Sequence, residues 1–251
     1  MISVENVNKS FSGEKVLKDI SVDFEKGKTN LIIGRSGSGK TVLLKSIVGL
    51  HDVDEGKIFF DGRNFVQMPF KERQEVRKEM GMLFQGSALF DSLTVEENVM
   101  FPLEIFSNMS AKEKLERVNF CLERVHLENA NQLFPAELSG GMKKRVAIAR
   151  AIVQNPKYLF CDEPNSGLDP KTGIVIDNLI SEITHDFDIT TIVNTHDMNS
   201  VMEIGEKVAF IYKGRKHWEG TSAEILKTKD EQLEEFIFAT EFTRQLRKSG
   251  I

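Results

Sequence analysis

The segment TNLIIGRSGSGKTVLLKSIVGL, residues 29–50, constrains the fold more than any other part of the chain. It starts as a short strand of the kind buried on both faces, TNLIIG, and it ends in a helical pattern, TVLLKSIVGL. The connection between them, GRSGSGKT, fits the pattern G-x-x-x-x-G-K-[ST]. In a strand–loop–helix of this kind, glycines let backbone N–H groups curl around phosphate oxygens at a helix N-terminus. The sequence therefore predicts an α/β fold with a phosphate-binding loop.

The residues of this loop are the first candidates for a nucleotide site. Lys40 is expected to reach the β- and γ-phosphates, and Thr41 is expected to place its hydroxyl on Mg²⁺. The complete set predicted to surround the phosphates is Gly34, Arg35, Ser36, Gly37, Ser38, Gly39, Lys40 and Thr41. ATP and Mg²⁺ are therefore the expected ligands.

Polar side chains end three further strands that look buried, at the edge where ligands bind in parallel sheets. The strand in YLFCDEP delivers Asp162, expected to hold Mg²⁺, and Glu163, expected to orient or deprotonate the attacking water. His196 ends TTIVNTH, in position for a γ-phosphate contact, and Gln85 follows GMLF, in position to coordinate Mg²⁺ and water. The alternatives are a solvated turn for the two carboxylates and a structural role for the histidine. The predicted catalytic set is Lys40, Gln85, Glu163 and His196, and the predicted metal ligands are Thr41, Gln85 and Asp162.

The overall composition is that of an ordinary globular protein, with 251 residues of which 40% are hydrophobic and 28% charged. The net charge of −5 argues against a nucleic-acid partner, since such proteins usually present a basic face. Two cysteines, Cys121 and Cys161, give no disulfide framework and are expected in the core. The N-terminus is unlike a signal peptide and no apolar run is long enough to span a bilayer. We therefore expect a cytoplasmic protein that meets a membrane only through a partner.

The order of strand and helix patterns predicts two lobes. Residues 1–86 and 157–225 alternate strands with helices and are expected to form a nucleotide-binding core around a parallel sheet. Antiparallel strands are expected at its N-terminus, over 2–11 and 16–25. Residues 87–156 show helical patterns without a strand between them, which predicts an inserted α-helical lobe.

The remaining residues, 226–251, are expected to form a helical tail. EQLEEFIFATEFTRQLRKSGI has the pattern of an amphipathic helix, with Leu233, Phe236, Ile237 and Leu246 among its apolar positions. Such a helix either docks on its own domain, which is the favoured interpretation, or contacts another subunit.

A second glycine-rich helix start occurs in LSGGMKKR, residues 138–145. Ser139, Gly140 and Gly141 open a helix whose first N–H groups and dipole favour an anion. These residues lie in the helical lobe, away from the sheet edge that carries the first loop. We therefore expect them to bind the nucleotide of another chain, so that two copies arranged head-to-tail bury two ATP molecules between them.

Together these segments resemble the ATP-binding-cassette (ABC) ATPases over nearly the whole chain. The matching motifs are GRSGSGKT as Walker A, YLFCDE as Walker B, LSGGM as the signature, Gln85 as the Q-loop, NSGLD (165–169) as the D-loop and His196 as the switch histidine. The resemblance implies adenine stacking on Phe11 and nucleotide contacts from Val16 and Asp169. The sequence departs from the family at Met142, where glutamine is usual, and at Asn165, where threonine is common.

Within this family, MLFQGSALFDSLTVEENVMFPL (82–103) and the methionine of LSGGM are similar to the ATPases of MCE-type lipid transporters, including the Mla phospholipid system. This resemblance implies an ATPase homodimer bound to a membrane permease and an MCE-domain protein, at the inner face of the inner membrane. The implied activity is ATP hydrolysis that drives phospholipid transport between membranes. We expect the permease to dock near Leu89 and Phe90, unless both residues belong to the core of the lobe.

Two other functions fit the same motifs. The ATPase of a solute importer, for amino acids or ions, has the same fold and chemistry, and the neighbouring membrane protein would distinguish it. A non-transport ATPase of DNA repair or translation fits less well, because the chain has one cassette, no cysteine-rich insertion and an acidic balance.

Overall fold

Residues 1–238 are described by the computed structural model, and they form two β-sheets. The strands of the first sheet are β1 (Ile2–Phe11), β2 (Glu14–Phe24), β4 (Glu55–Phe60) and β5 (Arg63–Asn64). Its order is β2-β1-β4-β5, and all neighbouring strands are antiparallel. The predicted N-terminal antiparallel strands are thus confirmed, with β2 starting at Glu14 rather than at residue 16.

The second sheet places the strand ends that carry the predicted site residues side by side. Its strands are β3 (Thr29–Ile33), β6 (Met80–Leu83), β7 (Tyr158–Asp162), β8 (Thr190–Thr195), β9 (Lys207–Tyr212) and β10 (Arg215–Gly220). The order is β10-β9-β3-β8-β7-β6, in which β9 and β10 form an antiparallel hairpin and all other neighbours are parallel. Every residue of β3, β7 and β8 is buried, as expected for central strands covered on both faces.

Local capping signals set the limits of several helices. The helices of the described part of the chain are α1 (Lys40–Ile47), α2 (Phe70–Lys78), α3 (Val95–Phe106), α4 (Ala111–Arg124), α5 (Gly140–Ile152), α6 (Pro170–Asp186), α7 (Met198–Ile204), α8 (Ser222–Ile225) and α9 (Glu231–Ile237). Thr94 and Ser110 begin α3 and α4 with capping boxes, in which Glu97 and Glu113 bond back to the capping residue. Such reciprocal bonds satisfy backbone N–H groups that a helix start leaves unpaired.

The stretch between β6 and β7 is helical, as predicted. It holds α3, α4 and α5, and no strand is found among these described residues. With the parallel sheet and the N-terminal antiparallel strands, this stretch confirms the predicted α/β fold class. The limits of the inserted lobe, 87–156, stay a prediction.

The second sheet separates two apolar cores, because alternate residues of a strand point to opposite faces. Leu31 and Ile33 of β3 belong to one core, whereas Ile32 between them belongs to the other. The first core extends into α3, α4 and α5 and contains both cysteines. Burial raises the pKa of Cys121 to about 11, which fits the predicted core role of the cysteines.

The described part of the tail docks on its own domain. Leu233, Phe236 and Ile237 of α9 are buried in the first core, and the Phe236 ring lies 5.4 Å from the ring of Phe210 in β9. The predicted apolar position Leu246, like all residues from 239 onward, lies outside the described residues. Within residues 1–238, every helix is too short or too polar to cross a membrane.

Candidate nucleotide site

The loop between β3 and α1 has a backbone that requires glycine. Gly37 and Gly39 have φ angles of 77° and 106°, values that side-chain-bearing residues rarely adopt. A Cβ atom at Gly34 would lie 2.3 Å from the carbonyl oxygen of Ile211, so only glycine fits against β9 there. Gly39 caps α1 without a side-chain hydrogen bond, which leaves the first N–H groups of the helix available to an anion.

Lys40 lies inside this loop rather than in solvent. It is 6% exposed, and its Nζ donates to the carbonyl oxygens of Gly34 at 2.9 Å and Arg35 at 3.3 Å. Burial lowers the pKa of Lys40, while the nearby carboxylates of Glu163 and Asp162 oppose that shift. The ammonium group is therefore held at the loop before any substrate arrives.

A buried hydroxyl beside the lysine supports a phosphate ligand. Ser38 is buried, and its Oγ has no hydrogen-bond partner among the described residues. A buried donor without an acceptor costs free energy, and a phosphate oxygen would satisfy it. The open glycine cradle, the buried lysine and this unpaired hydroxyl together fit a nucleoside triphosphate.

Three polar groups meet where α1 faces the ends of β7 and β8. The Thr41 hydroxyl donates to Asp162 Oδ1 at 3.3 Å, and Asn194 Nδ2 donates to Thr41 Oγ1 at 3.0 Å and also to Asp162. A hydroxyl and a carboxylate side by side offer the oxygen ligands that Mg²⁺ prefers. Sequence reasoning missed Asn194, whose signal was the single amide side chain inside TTIVNTH, a strand that looks buried.

Glu163 and His196 form the second polar pair at this edge. His196 Nδ1 lies 2.8 Å from Glu163 Oε2, and the side chain of Glu163 is 13% exposed against 66% for that of His196. Glu163 has a φ of 49°, which is uncommon for a residue with a side chain, and its N–H donates to the Asn194 carbonyl at 2.8 Å. Strained backbone of this kind concentrates at functional sites. The pair is thus placed and oriented by the ends of β7 and β8.

Gln85 follows β6 and is held from two sides. Its Nε2 donates to Ser166 Oγ at 3.3 Å, and its carbonyl oxygen accepts a short hydrogen bond from Lys144 Nζ. Lys144 of α5 is 4% exposed, and burial lowers its pKa. The sequence pattern did not single out Lys144, because a lysine in an amphipathic helix usually faces solvent. Its ammonium group fixes the backbone of the Q-loop instead.

One cavity of about 460 Å³ brings together half of the predicted site residues. Its lining consists of Val16, Ser36, Gly37, Gly39, Lys40, Thr41, Val42, Gln85, Glu163 and His196. Phe11 is not part of this lining; its ring is 40% exposed and meets the His51 ring edge-on at 5.2 Å. Arg35 turns away as well and forms a 3.0 Å ion pair with Glu235 of α9. Asp162 lies behind Thr41, from which it accepts a hydrogen bond.

The LSGG residues, at the start of α5, lie away from this cavity. Ser139 caps α5, with its hydroxyl accepting from the N–H of Met142 at 3.2 Å. A Cβ atom at Gly141 would lie 2.7 Å from the Thr172 side chain, so the start of α5 packs closely on the start of α6. Asp169 caps α6 through the N–H groups of Lys171 and Thr172. None of Ser139, Gly140, Gly141 and Asp169 lines the cavity that holds Lys40.

Known proteins resemble the chain in sequence. The methionine import ATP-binding protein MetN of Campylobacter jejuni is 38% identical over 258 residues, covering 96% of this chain and 77% of that protein. MetN of Clostridium tetani is 43% identical over 86% of this chain and 67% of its own length. The probable ribonucleotide transport ATP-binding protein mkl of Mycobacterium leprae is 35% identical over 92% of this chain and 66% of its own length.

Solved structures resemble the fold as closely. The dimeric structure of a bacterial ABC transporter cassette superposes with a TM-score of 0.80 at 33% identity, covering 88% of this chain and 99% of that one. The cbiO1 protein of Clostridium perfringens, part of the ABC transporter complex cbiONQ, reaches 0.85 at 29% identity, over 100% of this chain and 98% of that one. The sequence pattern of the ABC transporter family matches residues 17–166. The chain therefore belongs to the ABC transporter family, as an ATP-binding subunit that hydrolyses ATP to drive transport.

Proposed function

We propose that this chain powers the import of a small polar solute, such as an amino acid, through a membrane permease. The observation that carries the ATPase chemistry is the single cavity that brings Lys40, Thr41, Glu163 and His196 together. Its relatives named as methionine importers support solute import as the transport function. None of the relatives described above is named for lipid transport, so they support the solute-import alternative better than the phospholipid prediction.

The proposed hydrolysis assigns one task to each part of the cavity. The loop glycines and Lys40 would hold the phosphates, and Val16 would contact the adenine end. Phe11 lies outside the cavity against His51, and its ring would have to turn toward the nucleotide to stack on adenine. Thr41, Asp162 and Gln85 would hold Mg²⁺, which would neutralise phosphate charge when bound. Glu163 accepts a proton from the attacking water, and His196 orients Glu163 through their 2.8 Å contact and reaches the γ-phosphate.

The proposed active form is a head-to-tail homodimer. Ser139, Gly140, Gly141 and Asp169 lie outside the chain's own cavity, which supports their use on the nucleotide of a second copy. A neighbouring cassette structure at 33% identity is described as dimeric, which supports the same arrangement. ATP would then hold two chains together, and hydrolysis would release them.

An apolar groove supports the proposed docking of a permease. A cavity of about 730 Å³ lies between α2, β6, α3 and α5, and Phe84, Phe90, Phe101 and Phe106 contribute to its lining. Phe90 is 42% exposed and meets the Phe101 ring at 4.7 Å, whereas Leu89 packs against the core. Exposed apolar surface of this kind marks sites of protein contact. The chain would thus be peripheral, at the inner face of the membrane that holds the permease.

Phospholipid transport is the second candidate, favoured by the resemblance of residues 82–103 and Met142 to MCE-type ATPases. It would add an MCE-domain protein to the complex. The two candidates share every catalytic residue and differ only in the partner and its cargo.

The test isolates the native complex and then identifies its cargo. Tagged Glu163→Gln protein is purified from native membranes with ATP, and the wild-type complex is then assayed for ATPase stimulation. Recovery of a permease, with stimulation by an amino acid and its binding protein, supports import. Recovery of an MCE-domain protein, with stimulation by phospholipid, replaces import by the second candidate. Recovery of no membrane protein contradicts both transport proposals. Lys40→Ala protein with the same tag is the control for ATP-dependent capture.

A further inference from the structure

Three polar side chains meet inside apolar surroundings behind the D-loop. Asn165 Nδ2 donates to Asp177 Oδ2 at 2.7 Å and to Ser200 Oγ at 3.1 Å. Asp177 lies in the middle of α6 and is 1% exposed, and Ser200 in α7 is fully buried. Ser200 also lies near the Asp177 carboxyl and lowers its pKa, which favours the charged form. The cluster therefore joins a loop and two helices at one point.

The cluster lies close in sequence to Glu163 and His196. Asn165 follows Glu163 by two residues, and Ser200 follows His196 by four residues. The segment from His196 to Ser200 is short and structured, because Asp197 caps α7 by accepting from the N–H of Asn199 at 2.9 Å. The cluster thus ties the two backbone segments that present Glu163 and His196 to each other.

Stability does not account for the cluster. Burial, together with the charges of Asp197 and Glu203, raises the pKa of Asp177 to about 6. Asp177 Oδ1 and Asn165 Oδ1 have no hydrogen-bond partner among residues 1–238. A buried carboxyl with an unpaired oxygen costs free energy, and replacing a whole buried polar cluster by apolar side chains is often neutral or stabilising. Because this cluster costs stability and lies beside Glu163 and His196, we expect it to have a functional role.

We propose that Asn165, Asp177 and Ser200 are positioning residues for ATP hydrolysis, holding the D-loop against α7 so that Glu163 and His196 keep their relative placement. This inference rests on the proposed roles of Glu163 and His196. The hydrogen bond that Asp177 accepts comes from Asn165 of the D-loop and not from the phosphate loop.

The proposal separates two kinetic quantities. ATP binding depends on the loop from Gly34 to Thr41, which the cluster does not contact, so the KM for ATP stays unchanged. Hydrolysis depends on the geometry of the Glu163–His196 pair, whose contact is 2.8 Å. Displacements of about 1 Å at a reacting centre cost up to roughly a hundredfold in rate. Loss of the cluster is therefore a loss of kcat.

The experiment compares two substitutions at Asp177 in the purified full chain with MgATP. Asp177→Leu removes the hydrogen bond from Asn165 and lowers kcat by roughly tenfold or more, with KM within about twofold. Asp177→Asn keeps a side-chain oxygen that accepts from Asn165, so it retains kcat within about twofold. Thr184→Val is the matched control, because it removes a buried hydroxyl pair with Thr191 from the same helix, away from the D-loop.

Contrary results are clear-cut. Wild-type kcat in Asp177→Leu overturns the proposal, as does an equal kcat loss in Thr184→Val. If Asp177→Leu does not fold, Asn165→Ala removes the loop end of the contact and must show the same kcat loss at constant KM. Glu163→Gln distinguishes a failure of the proposed site from a failure of the cluster proposal. Continued hydrolysis in Glu163→Gln refutes the assigned site. Loss of hydrolysis in Glu163→Gln together with normal hydrolysis in Asp177→Leu refutes only the positioning role of the cluster.

Discussion

The chain has two helix starts rich in glycine, and they are built differently. At α1, glycines in the left-handed region bend the loop, no side chain caps the helix, and Lys40 lies within the loop. At α5, Ser139 caps the helix, and Gly140 and Gly141 lie inside its first turn. The first start is a cradle that surrounds a ligand, whereas the second is a surface that a ligand can meet from one side. This difference is consistent with the proposal that the start of α5 serves the nucleotide of a second copy of the chain.

The largest effect that would test this comparison is expected from Lys40→Ala. Removing the buried ammonium takes away the charge placed at the β- and γ-phosphates, so hydrolysis should fall by about a thousandfold. Phosphate release at saturating ATP measures the loss. Arg150→Lys, at a cation of α5 outside the cavity, provides a charge-preserving comparison. Normal turnover in Lys40→Ala would contradict the placement of the triphosphate in this loop.

Gly140→Asp tests whether the start of α5 contacts nucleotide. A carboxylate there would face the γ-phosphate of the other chain, and a repulsion at contact distance costs on the order of several kcal/mol. Hydrolysis in the assembled complex and ATP-driven dimerisation should therefore fall by about a hundredfold, while ATP binding to a single chain is kept.

The control for that variant is Gly140→Ala. Its added Cβ would lie 3.3 Å from the mobile Cδ2 of Leu168, so the methyl group should be tolerated. Sedimentation with Glu163→Gln in both backgrounds gives the dimer fraction. Equal dimerisation of the Asp and Ala variants would mean that LSGG does not contact nucleotide.

A smaller effect is expected on the stability of the chain from Asp177 in α6, the helix on which the start of α5 packs. Since the pKa of Asp177 is raised to about 6 in the folded chain, the native state binds a proton more tightly than the unfolded state does. Stability from this group is present at low pH and is lost as pH rises through about 6. Asp177→Asn should therefore raise unfolding free energy by about 1–3 kcal/mol at pH 8, and by roughly half as much at pH 5. Urea unfolding at both pH values measures this, and a gain independent of pH would contradict the shift.

The smallest predicted effect is that of Ser139→Ala. Loss of an N-cap hydroxyl costs about 1 kcal/mol of unfolding free energy. The ATP affinity of the single chain should not change, because Ser139 lies outside its cavity. Thermal unfolding and nucleotide titration together check both statements, and a weaker single-chain affinity would contradict the separation of the two helix starts.

The features that could be predicted from sequence are those whose cause is local. The phosphate loop GRSGSGKT is predicted by its glycines and by the strand and helix beside it. The carboxylate of YLFCD is predicted by a buried strand that ends in aspartate. Both predictions need only a few consecutive residues. Asn194, Lys144 and Asp177 could not be placed, because their contacts join residues distant in the chain. Strand limits shifted for a similar reason: β6 ends at Leu83, since Phe84 and Gln85 leave the sheet for the groove and the cavity.

The hydrogen bonds of Lys40 have a consequence for how the substrate is received. Its side chain is already immobilised by two carbonyl oxygens of the loop, which carry partial rather than full negative charge. An incoming phosphate exchanges these acceptors for stronger ones without ordering a flexible four-carbon chain, which elsewhere costs up to about 2 kcal/mol. The restriction of the lysine thus takes place once, during folding, and is not repeated at each cycle of nucleotide binding.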